Sequence, residues 1–336
     1  MELWIAGYGS SSSRSVARVC IADGRVETLW ETKIEASSYM DFSDNLLFVI
    51  SEWERGSAIR LLTPNGHSFE QRDSVEIPGG QLCHITYLPR QHVLLGACYG
   101  CGDVFSIAVD PSTASFGKLL TYQKQGRGEE CSIGSTRAHS ILVNREETIA
   151  VSANIALDRL YLYNLHEGKL EDERFVSLPK GVGPRHFVWR EDLHKIYVIT
   201  EYSNEIITIQ AEKSRISYLS SQSTLQDDFE GESYGSTLVC SADGQYLYAG
   251  NRGEDTIAVF SVDQEGGLMK TGSFSCGGCW PRNRSDGMLW AEATSFPQAT
   301  VQARPNCSLR KSRMKSSNDS SASSKRPRRP MRQQQP

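Results

Sequence analysis

Five polar side chains fall at two recurring positions of a repeated pattern in this 336-residue chain. His139, Arg185 and Arg282 share one position, at the start of an apolar segment. Glu201 and Arg252 share another, 51 residues apart, at the end of the apolar segment that follows. If the repeats fold around an axis, equivalent positions converge on one opening. A His, a Glu and up to three Arg would then meet there. Arg binds carboxylate or phosphate through planar, paired hydrogen bonds. His titrates near neutrality and can activate water or pass a proton. Glu can orient that His or act as a second acid or base. The set suits a small anionic substrate.

The elements that must position these residues are short. Segments beginning at Ser38, Ala138, Pro184 and Gly235 each read as an apolar strand, a polar turn, a second apolar strand, a short polar loop and a third strand. The stretch from Cys83 is a fifth copy. Taking Cys83, His139, Arg185, Gly235 and Arg282 as equivalent gives spacings of 56, 46, 50 and 47 residues. Leu46–Ile50, Ile149–Ser152, Ile196–Thr200 and Tyr246–Gly250 are rich in aromatic and β-branched residues, and Asp44-Asn45 and Asp243-Gly244 supply turn chemistry. No long 3.6-residue periodicity appears. A repeat near 50 residues with three or four strands per unit predicts the blades of an all-β propeller.

Composition narrows the function classes. Hydrophobic residues make up 39% and charged residues 23%, enough for a sizeable core. No stretch approaches the ~20 apolar residues of a membrane-spanning helix, so no membrane association is expected. The N-terminus lacks a basic segment followed by an apolar run, and nine Cys read as reduced thiols, so a cytoplasmic location is expected. The net charge of −4 hides a split: residues 284–336 hold 11 Lys/Arg against 3 Asp/Glu, leaving 25 against 37 in residues 1–283. The basic tail, rich in Ser, Arg, Pro and Gln, is expected to be disordered. Its Lys325–Pro330 run, KRPRRP, has the composition of a nuclear-import signal or a nucleic-acid patch, but a solvated basic tail is the plainer reading, and nucleic acid is not expected as a partner because the folded part is acidic.

Several motifs carry a resemblance. ACYGCGDVFSIAVD, RAHSILVN with LDRLYLY, GPRHFVW, SADGQYLYAGNRGEDTIAVF and GGCWPRN resemble signatures of the seven-bladed β-propeller lactonase family. That family includes bacterial 6-phosphogluconolactonase and the fungal carboxy-muconate cyclase of the cycloisomerase 2 group. The resemblance runs from residue 3 to 283 and then stops. Beyond Asn283 neither blade alternation nor a closing strand is legible, which points to a frameshift or mis-spliced junction; a six-bladed ring with a natural tail is the alternative. The expected architecture is therefore a seven-bladed-type propeller over residues 1–283, incomplete in its last blade or blades, followed by a non-blade segment over 284–336.

The resemblance implies a lactonase-type hydrolase acting on a small phosphorylated or carboxylated sugar lactone. A lactonising isomerase and a non-catalytic binding propeller are the alternatives, and no protein partner is indicated. By motif, His139, Arg185 and Glu201 match the residues implicated in the cyclase, with Arg252 or Arg282 as a further Arg, and the implied substrate-binding residues are Arg252, Arg282 and His186. Each has a plainer reading. His139 could cap a loop, Arg185 and Glu201 could form a structural ion pair, and His186 could pack, since alternation turns it away from Arg185. Asp158, Arg159 and Asn251 are expected to brace strands. Cys98-x-x-Cys101 and Cys276-x-x-Cys279 have the look of two half zinc sites, but incidental pairs are the plainer reading. No metal or cofactor is expected: no phosphate loop, nucleotide fingerprint or nucleophile elbow is present.

Overall fold

The computed structural model describes residues 2–8, 15–23, 25–126, 135–212 and 215–281. They form 23 strands in six antiparallel sheets. The first sheet has three strands, β1 (Glu2–Ala6), β2 (Val16–Ala22) and β3 (Arg25–Thr32). Five four-stranded sheets follow, each in chain order from the inside outward. The second comprises β4 (Met40–Ser43), β5 (Leu46–Glu52), β6 (Ser57–Asn65) and β7 (Ser68–Ile77). The third comprises β8 (Leu82–Leu88), β9 (Val93–Cys98), β10 (Asp103–Asp110) and β11 (Ser115–Lys124). The fourth comprises β12 (Ala138–Val143), β13 (Ile149–Asn154), β14 (Arg159–His166) and β15 (Lys169–Ser177). The fifth comprises β16 (Pro184–Arg190), β17 (Lys195–Thr200), β18 (Glu205–Glu212) and β19 (Arg215–Ser223). The sixth comprises β20 (Tyr234–Cys240), β21 (Tyr246–Arg252), β22 (Thr256–Val262) and β23 (Leu268–Ser275). Among the described residues no helix is long and apolar enough to cross a membrane.

Burial follows position within a sheet. The second strands β5, β9, β13 and β17 are buried along nearly their whole length, because neighbouring sheets cover both faces. The fourth strands β7 and β15 lie on the rim and are largely exposed. The turn chemistry is local: Asp44 and Asn45 both take positive φ, as a two-residue hairpin turn requires.

Consecutive residues of one strand point to opposite neighbours. Leu94 packs toward the second sheet with Phe48 and Phe105, whereas Leu95 packs toward the fourth with Ile141 and Tyr161. Five hydrophobic clusters arise this way, one for each pair of consecutive sheets. Among the described residues, none joins the sixth sheet to the first. A closed six-bladed ring needs that sixth junction, so the described sheets form an open arc instead. The terminal sheets carry the mark of this. Strand β22 alternates buried and half-buried residues, the pattern of a sheet covered on one face, whereas β14 and β18 have central runs buried on both. The segment at β1, LWIAGYG, matches YLYAGNRG at β21, a second strand. The first sheet therefore lacks an innermost strand among the described residues. The expected tail, with KRPRRP, lies outside them.

Candidate active site at the mouth of the arc

The site is made by a bulge repeated in successive sheets. The innermost strands β8, β12, β16 and β20 each shift register near their start, between Leu82 and His84, Ala138 and Ser140, Pro184 and His186, and Gly235 and Leu238. The extra residue is Cys83, His139 or Arg185 in the first three, and a bulge re-aims such a side chain. In the sixth sheet Gly235 pairs with Asn251 as Pro184 pairs with Thr200, so the counterpart of His139 and Arg185 is Ser236. This corrects the sequence-based equivalence of Gly235 by one residue. Gly235 has its own reason: a Cβ there would lie 2.1 Å from the Thr200 carbonyl oxygen.

The bulges stitch the inner strands together. Cys83 Sγ donates to His139 O at 3.2 Å, Ser140 Oγ donates to Arg185 O at 2.7 Å, and Arg185 Nη1 donates to Ser236 O.

A second recurring position lies at or just past the end of the second strand in the third, fifth and sixth sheets. Tyr99, Glu201 and Arg252 each come one residue after a ladder partner of the first strand, namely Cys98, Thr200 and Asn251. Glu201 Oε2 accepts from Arg185 Nε at 3.0 Å and lies 3.1 Å from Arg252 Nη2. The side chains of Arg185 and Arg252 are 3% and 9% exposed and that of Glu201 14%, so one carboxylate holds two buried guanidiniums. Arg252 also donates to Gly235 O at 2.9 Å, and its guanidinium lies 5.9 Å from the rings of Tyr234 and Trp280.

Beside this triad stand three buried imidazoles. The ring of His186 lies 5.2 Å from that of His139 and 5.6 Å from that of His84, centroid to centroid. Arg185 Nη1 approaches His186 Nε2 at 3.4 Å. Simple alternation separates these two neighbours; the bulge at Arg185 removes that separation. His84 is held neutral. Burial, and then the Arg185 charge, lower its pKa from 6.5 to about 3. The Ile141 N–H donates to its Nδ1 at 3.5 Å, so Nε2 carries the proton and faces Tyr39 Oη at 3.1 Å. Tyr39, His84, Ser140, His186 and Leu238 border a cavity of about 10 Å³, close to the size of one water.

Toward the mouth, His139 meets the ring of Tyr99 edge-on at 5.7 Å. Arg137 lies over that ring at 4.8 Å and donates from Nη1 to Tyr99 Oη at 2.6 Å. The phenol of Tyr202, from the fifth sheet, lies close enough to Arg137 to feel its charge. Burial pushes the Tyr99 phenol up and the Tyr202 phenol up to about 12, so both stay protonated at neutral pH.

Of the residues singled out in the sequence, His139, Arg185, His186, Glu201 and Arg252 are thus gathered at one end of the arc. Arg282 lies outside the described residues. Asp158 braces neighbouring sheets by accepting from the N–H groups of Gly181 and Gly183 at 2.7 and 2.8 Å. Asn251 accepts from Thr224 Oγ1 at 2.6 Å and donates to Thr224 O. Among the described residues no group of three or more His, Cys, Asp or Glu is arranged to hold a metal. Sequence reasoning missed His84, Tyr99, Arg137 and Tyr202. Two of these had a signal: His84 follows Cys83 as His186 follows Arg185, and Tyr99 shares the position of Glu201 and Arg252.

Comparisons with known proteins bear on the family and the fold. The family model described as "Lactonase, 7-bladed beta-propeller" matches residues 2–285. A 6-phosphogluconolactonase of Bacillus subtilis is 30% identical over 210 residues, a match spanning 62% of this chain and 60% of that relative's length. An uncharacterized protein of Staphylococcus epidermidis is 27% identical over 80% of both chains. Among solved structures, the periplasmic gluconolactonase of Pseudomonas aeruginosa superposes with a TM-score of 0.77 at 22% identity, over 84% of this chain and 85% of that one. The chain belongs to the seven-bladed β-propeller lactonase family.

Proposed function

We propose that this protein hydrolyses the lactone of a small phosphorylated or carboxylated sugar acid, as a 6-phosphogluconolactonase does. The observation that carries the reading is the Arg185–Glu201–Arg252 cluster beside His139 and His186. Two guanidiniums and one carboxylate leave a net positive charge beside the imidazoles, where an oxyanion forming on a lactone carbonyl would be stabilised. In this mechanism His139 takes a proton from water as the water oxygen attacks the lactone carbonyl carbon. The carbonyl oxygen becomes an oxyanion, stabilised by guanidinium N–H groups. The bond from that carbon to the ring oxygen then breaks, and the imidazolium of His139 returns its proton to the departing oxygen. Glu201 fixes the two guanidiniums. The free thiols among the described residues suit a reducing compartment, and we place the reaction in the cytoplasm.

A second reading, a non-catalytic binding propeller, is favoured by one observation: the cavity below the histidines has room for little more than one water. The test is proton release from 6-phosphoglucono-δ-lactone with the full chain, measured against spontaneous opening. Acceleration supports the hydrolase. If neither this lactone nor any other anionic lactone opens faster, the binding reading takes its place.

A further inference from the structure

The anion-binding Arg residues read from the sequence are already engaged by the protein. Arg185 donates to Glu201, to Ser236 O and toward His186. Arg252 donates to Tyr234 O and Gly235 O and pairs with Glu201. Both are buried, and their charges are partly cancelled by the carboxylate between them. They are placed to polarise a reacting carbonyl, not to reach a group at the far end of a substrate.

Arg137 differs in each respect. It is half-buried at the mouth, one residue before β12 and two before His139. Its neighbours are phenols: Tyr99 from the third sheet, on which it stacks and to which it donates, and Tyr202 from the fifth, which lies close enough to feel its charge. A protonated phenol orients a guanidinium without neutralising it. Among the described residues no carboxylate forms an ion pair with Arg137. A guanidinium carries five N–H donors in a planar fork, and the single bond to Tyr99 engages only part of it. The cation is therefore pre-oriented, half-buried and, among the described residues, outside any ion pair, with His139 reached through the shared ring of Tyr99.

We propose that Arg137, held between Tyr99 and Tyr202, binds the remote anionic group of the lactone and so sets the preference for charged over neutral substrates. This rests on the lactonase reading and adds a specificity residue to it. The reacting carbonyl then falls to the His139 and Arg185 side of Tyr99, and the phosphate or carboxylate to the Arg137 side.

The test uses the full chain and its R137Q and R137K variants. Their kcat/KM is measured on 6-phosphoglucono-δ-lactone, on the analogue with a 6-carboxylate and on neutral glucono-δ-lactone. A charge-assisted hydrogen bond contributes enough that R137Q should lower the charged-to-neutral ratio about 10- to 100-fold, chiefly through KM. The neutral lactone should change little, and R137K should keep part of the preference. The anion whose advantage collapses identifies the group bound. An unchanged ratio for both anions, or an equal fall on all three lactones, overturns the proposal. Equilibrium binding of 6-phosphogluconate and gluconate gives a readout independent of turnover. If the parent opens no lactone, the functional reading fails on its own. The Arg137 assignment then stands if R137Q loses 6-phosphogluconate binding, and falls if binding is unchanged or the parent binds neither acid.

Discussion

Arg185 and Glu201 face each other across the β16–β17 ladder with Nε and Oε2 3.0 Å apart, and the same oxygen serves Arg252 from the next sheet. A single carboxylate thus holds together two sheets and two like charges. Glu201→Gln would leave both guanidiniums without a counter-charge in a buried setting. Removing one partner of a buried pair typically costs about 3–5 kcal/mol. We expect the denaturant midpoint of Glu201→Gln to fall accordingly at unchanged m-value. An equal midpoint in variant and parent would show that the carboxylate does not hold the cluster.

In the proposed mechanism His139, whose ring lies between those of Tyr99 and His186, is the general base. A positioned general base is typically worth ~10²–10⁴ in rate. His139→Ala should lower kcat on the best lactone by about that factor while the protein remains folded. Parent-like turnover by His139→Ala would remove the imidazole from the mechanism.

His84 makes stability depend on pH. Its folded pKa of about 3 lies below the ordinary 6.5. Between these values the unfolded chain binds a proton that the folded chain excludes. The contribution is therefore fully present above pH 6.5 and is lost as pH falls toward 3, with a slope of at most about 1.4 kcal/mol per pH unit. His84→Asn keeps an acceptor for the Ile141 N–H without titrating. Urea midpoints at pH 7 and pH 5 should differ less in this variant than in the parent; equal differences would place the titration elsewhere.

The cysteine pairs should hold no zinc. Interaction with Cys101 and burial drive the Cys98 thiol well up, burial pushes Cys276 up, and only the Cys101 thiol of these three is lowered, by Cys98. A zinc ligand must be a thiolate. Metal analysis of protein purified without chelator should find well under one zinc per chain. Stoichiometric zinc that disappears in Cys276→Ser would sink this expectation.

The sheets were legible because blade sequence is periodic at two levels, in strands and in repeats. Ile196–Thr200, bounded by polar turns, is recognisable from residue type alone, and β17 extends it by one residue. The proximity of His139, Arg185, Glu201 and Arg252 was legible for the same reason, since symmetry converts equal repeat position into proximity. A one-residue bulge is not written in hydrophobicity, so Ser236 was read as Gly235 and His186 was turned away from Arg185. Tyr99, Arg137 and Tyr202 converge from three sheets, and no single repeat contains their relationship. The junction near Asn283 and the side chain of Arg282 fall outside the described residues.

The five inter-sheet cores give the described arc the energetics of a linear array. Each inner sheet is anchored by two neighbours, and each end sheet by one. In such an array stability is close to a sum of nearest-neighbour terms, and the ends open first. Amide hydrogen exchange should then be slowest in the third and fourth sheets and faster toward both ends. The mouth spans this gradient: Tyr99 and His139 stand on the most protected sheets, while Arg252 stands on an end sheet. Local opening of that one sheet would withdraw Arg252 from Glu201 while Arg185, Glu201 and the histidines keep their places.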